Sequence, residues 1–240
     1  MPKLTKMTIG FMLAAMTAAL SCAAFKPALV GQDALRNNAV EMKVSGRLNM
    51  KFKQSVVYGP FHTDTFSTGF AKVNHDKPER SPTSEDISTY TTATQGFHFT
   101  QYDSAGDTIG VRCLDTIKAK VTQYSNLTPD EVSNCHYEIH LSKNDGEKVF
   151  LMYTKGKPLA IPFGKDTVKM TDEYKSDVKE KMVFQGVLFA KSGETIAAVS
   201  LMSEGSVWIK NELDNESKLL IAAIATAMLV QPSLENISPQ

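Results

Sequence analysis

Leu219-Leu220-Ile221-Ala222-Ala223-Ile224-Ala225-Thr226-Ala227-Met228-Leu229-Val230 is the stretch that decides the fold. Wound as a helix it is apolar all the way round, interrupted only by Thr226, and a helix with no polar face must be enclosed by something. Asp214 and Asn215 suit an N-cap, Glu216 falls in the first turn and Pro232 ends the run, which predicts a helix over 216–231. At about 1.5 Å per residue the apolar run reaches about 20 Å, well short of the roughly 30 Å hydrocarbon layer of a bilayer. A short C-terminal membrane anchor is the rival reading. A curved sheet wrapped around the helix accounts better for its slim, alanine-rich surface.

Working outward from the helix, the preceding segments carry the period of two that marks half-buried strands. Val183 to Ala190, Thr195 to Leu201 and Ser206 to Lys210 form a meander, with Lys191-Ser192-Gly193-Glu194 as one turn and Ser203-Glu204-Gly205 as the next. Ile196-Ala197-Ala198-Val199 does not alternate, so that strand is expected to be covered on both faces. Upstream, Lys143-Asn144-Asp145-Gly146 joins Cys135–Ser142 to Val149–Tyr153, and Asp103-Ser104-Ala105-Gly106-Asp107 joins Phe97–Tyr102 to Thr108–Val121. Leu48, Met50, Phe52, Val56 and Tyr58 share one parity, Gly59-Pro60 turns the chain, and Phe61 to Val73 reads as another strand. Asn74 to Gln95 is polar and reads as a long loop or sheet-edge excursion. Lys165 to Lys181 mixes charge signs closely and reads as a solvated surface. The predicted class is mainly β, an antiparallel meander closing into a barrel or strongly curved sheet around one apolar C-terminal helix.

The strand meander from Val183 to Lys210 followed by the helix 216–231 resembles the tubby-like and LURP-one-like architecture, a β-barrel with a central C-terminal helix. The resemblance covers architecture, most closely over that stretch and more loosely from residue 45 onward. It implies lipid-headgroup binding only weakly, since no phosphoinositide-binding lysine and arginine pair of that family maps onto a residue here.

The amino terminus supplies an address. Lys3 and Lys6 form a basic start, Met7 to Leu20 an apolar segment, and Ala19-Leu20-Ser21-Cys22 a small-residue approach to a cysteine. This resembles the bacterial lipoprotein signal, in its relaxed form, and implies lipidation of Cys22. Cleavage after Ala23 or Ala24, releasing a soluble secreted protein, is the competing reading. The chain has three cysteines. In an oxidising compartment two are expected to pair, and Cys113 and Cys135, both on inward rows of consecutive strands, are the expected disulfide; this leaves Cys22 over, and lipidation gives it a use. Two buried free thiols are the alternative for Cys113 and Cys135. The domain reading is 1–21 signal peptide, 22–44 lipid-anchored tether, and 45–240 a single β-rich domain ending in the helix.

Charge excludes one partner class. There are 26 basic and 26 acidic residues, and loss of Lys3 and Lys6 leaves the mature chain at about minus two. No basic field is available to neutralise phosphates, so nucleic acid is not an expected partner. A membrane partner is expected through the N-terminal lipid, with another envelope protein as a further candidate.

The search for chemistry yields no catalytic, metal or cofactor assignment. His136 and His140 flank Glu138, but on a strand the two histidines stand about 13 Å apart along the chain, too far for one zinc ion with bonds of about 2 Å. His62 with Asp64 and His75 with Asp76 are short pairs in turn-like sequence, where a hydrogen-bonded loop is the commoner arrangement. No Gly-x-Ser-x-Gly elbow or phosphate-binding glycine loop occurs. Asn126, Asn215 and Asn236 begin short glycosylation-acceptor patterns, which would matter in a eukaryotic source. The expectation is an exported, lipid-anchored envelope protein of non-enzymatic binding or structural type. The alternatives are a binding protein for lipid or another apolar ligand, and a hydrolase with an unrecognised site.

Overall fold

The apolar run forms the helix α1 (Asn215–Val230), and every residue from Leu219 to Val230 is buried. The computed structural model describes residues 35, 37–47, 55–64, 66–76, 79–80, 87–122, 131–176 and 182–231, with side chains left out at 79–80, 87–89, 119–122, 131–135, 175–176 and 182–183. Asp214 caps the helix: its Oδ1 accepts from the Ser217 backbone N–H at 2.8 Å and its Oδ2 from the Ser217 hydroxyl at 2.7 Å. These bonds, with Ser217 as the largest cause, hold the Asp214 carboxyl below its ordinary range.

Around the helix lie two antiparallel sheets. Their strands are β1 (Ala39–Lys43), β2 (Val57–Tyr58), β3 (Phe61–Thr63), β4 (Ser67–Thr68), β5 (Lys72–His75), β6 (Glu79–Arg80), β7 (Ile87–Tyr102), β8 (Thr108–Thr122), β9 (Glu131–Lys143), β10 (Lys148–Tyr153), β11 (Leu159–Phe163), β12 (Asp166–Ser176), β13 (Met182–Lys191), β14 (Glu194–Ser200) and β15 (Ser206–Lys210). One sheet has six strands in the order β1-β15-β14-β13-β12-β11. The other has nine, ordered β10-β9-β8-β7-β3-β2, with β4, β5 and β6 also pairing with β7. The helix packs against β14 and β15 of the first and β7, β8 and β9 of the second. It is therefore enclosed by strands, and among the described residues no helix is long and apolar enough to cross a membrane.

The expected barrel is corrected in one respect: neither sheet closes on itself or curls strongly. What holds of the tubby-like resemblance is a mainly β chain ending in one helix. Among the described residues the sheets meet at two seams. At one, a single bridge joins Ser45 to Val57 by backbone bonds of 3.0 and 3.1 Å. At the other, between β10 and β12, the Asp172 carboxylate accepts from the Tyr153 hydroxyl at 2.7 Å, the Gly156 N–H at 2.6 Å and the Tyr174 hydroxyl at 3.2 Å.

The helix is held by polar contacts as well as by burial. Tyr58 Oη donates to the Ala222 carbonyl at 2.7 Å and lies 2.8 Å from Thr226 Oγ1, whose hydroxyl donates to Gln101 Oε1 at 2.7 Å. Thr226, the one polar break in the run, is thus fully buried and bonded, which avoids the cost of an unpartnered hydroxyl. Tyr137 Oη donates to the Ala227 carbonyl at 2.8 Å. No basic residue lies in the last turn of α1. Arg47 supplies the missing cation from elsewhere: Nε donates to the Leu229 carbonyl at 2.7 Å, and Nη1 to Leu201 at 2.7 Å and Ser203 at 2.9 Å. A cation at a helix C-terminus opposes the negative end of the dipole. Gly205, beside this clamp, has φ of +97°, and a Cβ there would stand 2.6 Å from Leu229 Cδ2, so a larger residue is excluded on two counts.

Ile196, Ala197, Ala198 and Val199 are all buried, as their lack of alternation predicts. Ser192 and Gly193 both take positive φ, the signature of the tight hairpin expected there. Three expectations change. Asn74–Gln95 is not a loop throughout, because β5 and the first half of β7 run through it, pairing Lys72–His75 with Thr94–Thr91. The threonines suit a strand, with small residues such as Ala93 and Thr91 facing inward. Within Lys165–Lys181 the segment Asp166–Ser176 is β12, with Val168 and Met170 buried on one face and Lys169 exposed between them. Ala39–Lys43, expected within the tether, is β1, paired in register with β15. Leu48, Met50 and Phe52 lie outside the described residues.

Candidate functional site

Cys22, with the signal and most of the tether, lies outside the described residues. Cys113 is a free thiol, buried on the inner face of β8, so the pairing expected for it is not made. The register explains this. Cys113 stands opposite Ile139, and Cys135 lies four residues away from Ile139 along β9, about 13 Å at the usual strand rise. A disulfide joins Cα atoms less than about 7 Å apart. The Cys135 side chain is outside the described set. Burial pushes the Cys113 thiol up to about 12; a hydrogen bond with Tyr137 opposes the shift and the charge of Asp115 adds to it.

The short histidine pairs are taken up locally. His62 stacks on Tyr102 with ring centroids 5.1 Å apart, while Asp64 accepts from the Thr100 N–H at 2.7 Å. His75 Nδ1 lies 3.0 Å from the Thr91 hydroxyl. Glu138 sits between two histidines on the outer face of β9, 3.8 Å from His136 Nε2 and 3.3 Å from His140 Nε2. Among the described residues no group of three or more histidine, cysteine, aspartate or glutamate side chains is gathered to hold a metal ion.

The described surface does carry a trough of about 960 Å³ on the outer face of the nine-stranded sheet. Its floor follows from strand parity. On β7, Phe97 and Phe99 are buried against the core and His98 between them points out; on β8, Val111 and Cys113 are buried and Arg112 points out; on β9, Ile139 and Leu141 are buried and His140 points out. Register then aligns these outward residues. Ser67 pairs with His98, His98 with Arg112, Arg112 with His140, and His140 with Phe150, forming one row across five neighbouring strands. The adjacent row runs Thr100, Gly110, Ser142 and Lys148.

Neighbouring side chains on one face of a sheet stand about 5 Å apart across strands, so the row is a contiguous group. Gly96 and Gly110 leave the space beside Arg112 open, because they carry no side chain where the strand parity points outward. Past His140 the row continues to Phe150, 52 % exposed, which packs on His140 with centroids 4.6 Å apart. Arg112 and Lys148 are permanent cations at neutral pH, against the single carboxylate of Glu138 among the lining residues. Arg112 has no hydrogen-bond or ion-pair partner among the described residues, whereas Glu138 is occupied by its two histidines.

The outward positions of Arg112, His136, Glu138 and His140 were legible as the polar rows opposite the apolar ones. Their alignment with His98 and Lys148 was not, because parity says which face a residue occupies and only register says which residue stands beside it. No family model, no curated protein and no solved structure matches the chain.

Proposed function

We propose that the chain is an exported envelope protein of non-enzymatic binding type, held at a membrane through lipidated Cys22 and presenting the outer face of its nine-stranded sheet to a ligand or to another envelope protein. The observation that supports this reading is the trough, where polar and cationic side chains converge on a solvent-facing floor. Because α1 fills the space between the sheets, recognition takes place outside the core rather than within it. The scaffold suits recognition of this kind, since residues on paired strands with a packed inner face hold a fixed geometry and binding then costs little ordering.

A photo-crosslinking amino acid at Leu114, on the trough wall, is expected to give adducts in intact cells, while the same group at exposed Ala160 on β11 gives none. Absence of adducts at Leu114 would overturn the binding face. Labelling with an alkyne fatty acid tests the anchor: the parent chain takes up label and Cys22→Ala does not.

A further inference from the structure

We infer that the trough is an oxyanion site, in which the Arg112 guanidinium grips a phosphate or carboxylate group carried by the ligand. This rests on the reading of the outer face as a binding surface and names its chemistry.

Arg112 is central in the row, flanked laterally by His98 and His140. Its planar fork of N–H donors matches two oxygens of one phosphate or carboxylate, a geometry that a lysine ammonium does not reproduce. Here the nearby carboxylate, Glu138, is only 23 % exposed and is engaged by His140 at 3.3 Å and His136 at 3.8 Å. The hydroxyls of Ser67, Thr100 and Ser142 line the same trough, and Lys148 adds a second cation in the next row. Gly110, on β8 in the adjacent row, leaves room for the anion, and Leu114, which lines the trough and is 36 % exposed, offers an apolar contact for the body that carries it.

The pattern argues against a merely solvated face. On β9 the polar groups satisfy one another, Glu138 lying against His136 and His140. On the Arg112–Lys148 side of the trough they do not. Donors of several kinds surround an open volume in which no described side chain accepts from Arg112, and an oxyanion satisfies them together.

The test is a titration of the mature, ¹⁵N-labelled protein followed by NMR, with inorganic phosphate, acetate and glycerophosphoglycerol as separate probes. Saturable shifts are expected for the Arg112 Nε–H and for the Gly96 and Gly110 amides. Arg112→Gln should weaken binding by about tenfold or more, the usual cost of losing a charge-assisted pair, and Arg112→Lys should recover part of it. Saturation by inorganic phosphate alone assigns a free or monoester phosphate, by acetate a carboxylate, and by glycerophosphoglycerol a lipid headgroup. No saturable shift with any probe, or equal affinity in Arg112→Gln, overturns the oxyanion site.

Gly110→Leu separates this proposal from the reading beneath it. It fills the trough without touching a charge, and a Cβ at Gly110 meets Ser142 Cβ at an ordinary 3.8 Å, so the fold accommodates it. Should phosphate fail to bind while Leu114 adducts persist and are lost in Gly110→Leu, the trough binds by other chemistry and the oxyanion site falls alone. Should phosphate bind while Leu114 gives no adduct, the oxyanion site stands and the proposed recognition surface falls. If Arg112→Gln does not fold, Lys148→Gln and Arg112→Lys carry the measurement, each expected to weaken binding severalfold.

Discussion

The two sheets share one helix and differ in what covers their backs. Both press apolar inner faces onto α1. The outer face of the six-stranded sheet is covered again, by a second small cluster in which Leu35, Ala198 and Trp208 are buried and Ala39 and Leu188 pack alongside. Lys210 on that sheet is also buried, paired with Glu194. Among the described residues the outer face of the nine-stranded sheet has no such cover over its central rows, where His98, Arg112, His140 and Phe150 are exposed. A face that the chain seals contributes stability, and a face left open with converging cations is available for recognition. The same antiparallel geometry serves both ends.

Breaking the shared element has the largest expected effect. Ile224→Ala removes a fully buried side chain from α1, with no room for collapse between two sheets, and should cost about 4 kcal/mol in urea unfolding. Trp208→Ala strips the cover from the six-stranded sheet and should cost about 3 kcal/mol. A loss below about 1 kcal/mol would mean that this cover is not structural and would erase the contrast between the sheets.

Asp214→Ala removes the N-cap and should cost about 1 kcal/mol at neutral pH. Because the folded carboxyl is held low, its contribution is present above the unfolded value of about 3.9 and is lost as pH falls through the folded value. Melting curves of parent and variant should therefore converge toward low pH; a gap that stays constant below about pH 3 would contradict the cap. Arg112→Gln should change stability by less than about 0.5 kcal/mol, the behaviour of a surface residue without partners. A loss above about 2 kcal/mol would show that Arg112 holds the fold, and the open face would lose its meaning.

Adjacent residues sharpen the point most finely. Cys113 follows Arg112 on the same strand but faces the core, and its thiol is pushed up to about 12 by burial. A thiol reagent at mildly alkaline pH should leave Cys113 unmodified in the folded protein and modify it rapidly once unfolded, by peptide mapping. Fast modification of the native protein would place the inner face of β8 in contact with solvent.

Much of the strand content was legible because apolar and polar residues alternate where one face is covered. Cys113, Ile139 and Leu141 fell on inner rows and Arg112 and His140 on outer ones as parity required. The long first half of β7 escaped, because its threonines, buried Thr91 among them, look polar in sequence while their β-branched shape suits a strand. β12 escaped for a related reason: two buried residues, Val168 and Met170, are too few to outweigh the lysines around them. The disulfide expectation failed at Cys113 because inward parity was right and register was unknown. Arg47 could not be connected with α1 from sequence at all, since it reaches carbonyls more than 150 positions away.

By itself, the amino-acid sequence determined that the last helix had to be surrounded: twelve consecutive positions with one hydroxyl among them leave no side for water, and local composition suffices to say so. It likewise set the side of each strand on which a residue lies, since alternation is a local property. Tertiary structure alone decided that two open sheets, rather than one closed barrel, do the surrounding, and that Ser67, His98, Arg112, His140 and Phe150 line up across five strands. Register between distant strands depends on the packing of the whole inner face against the helix, and no short stretch of chain contains that information.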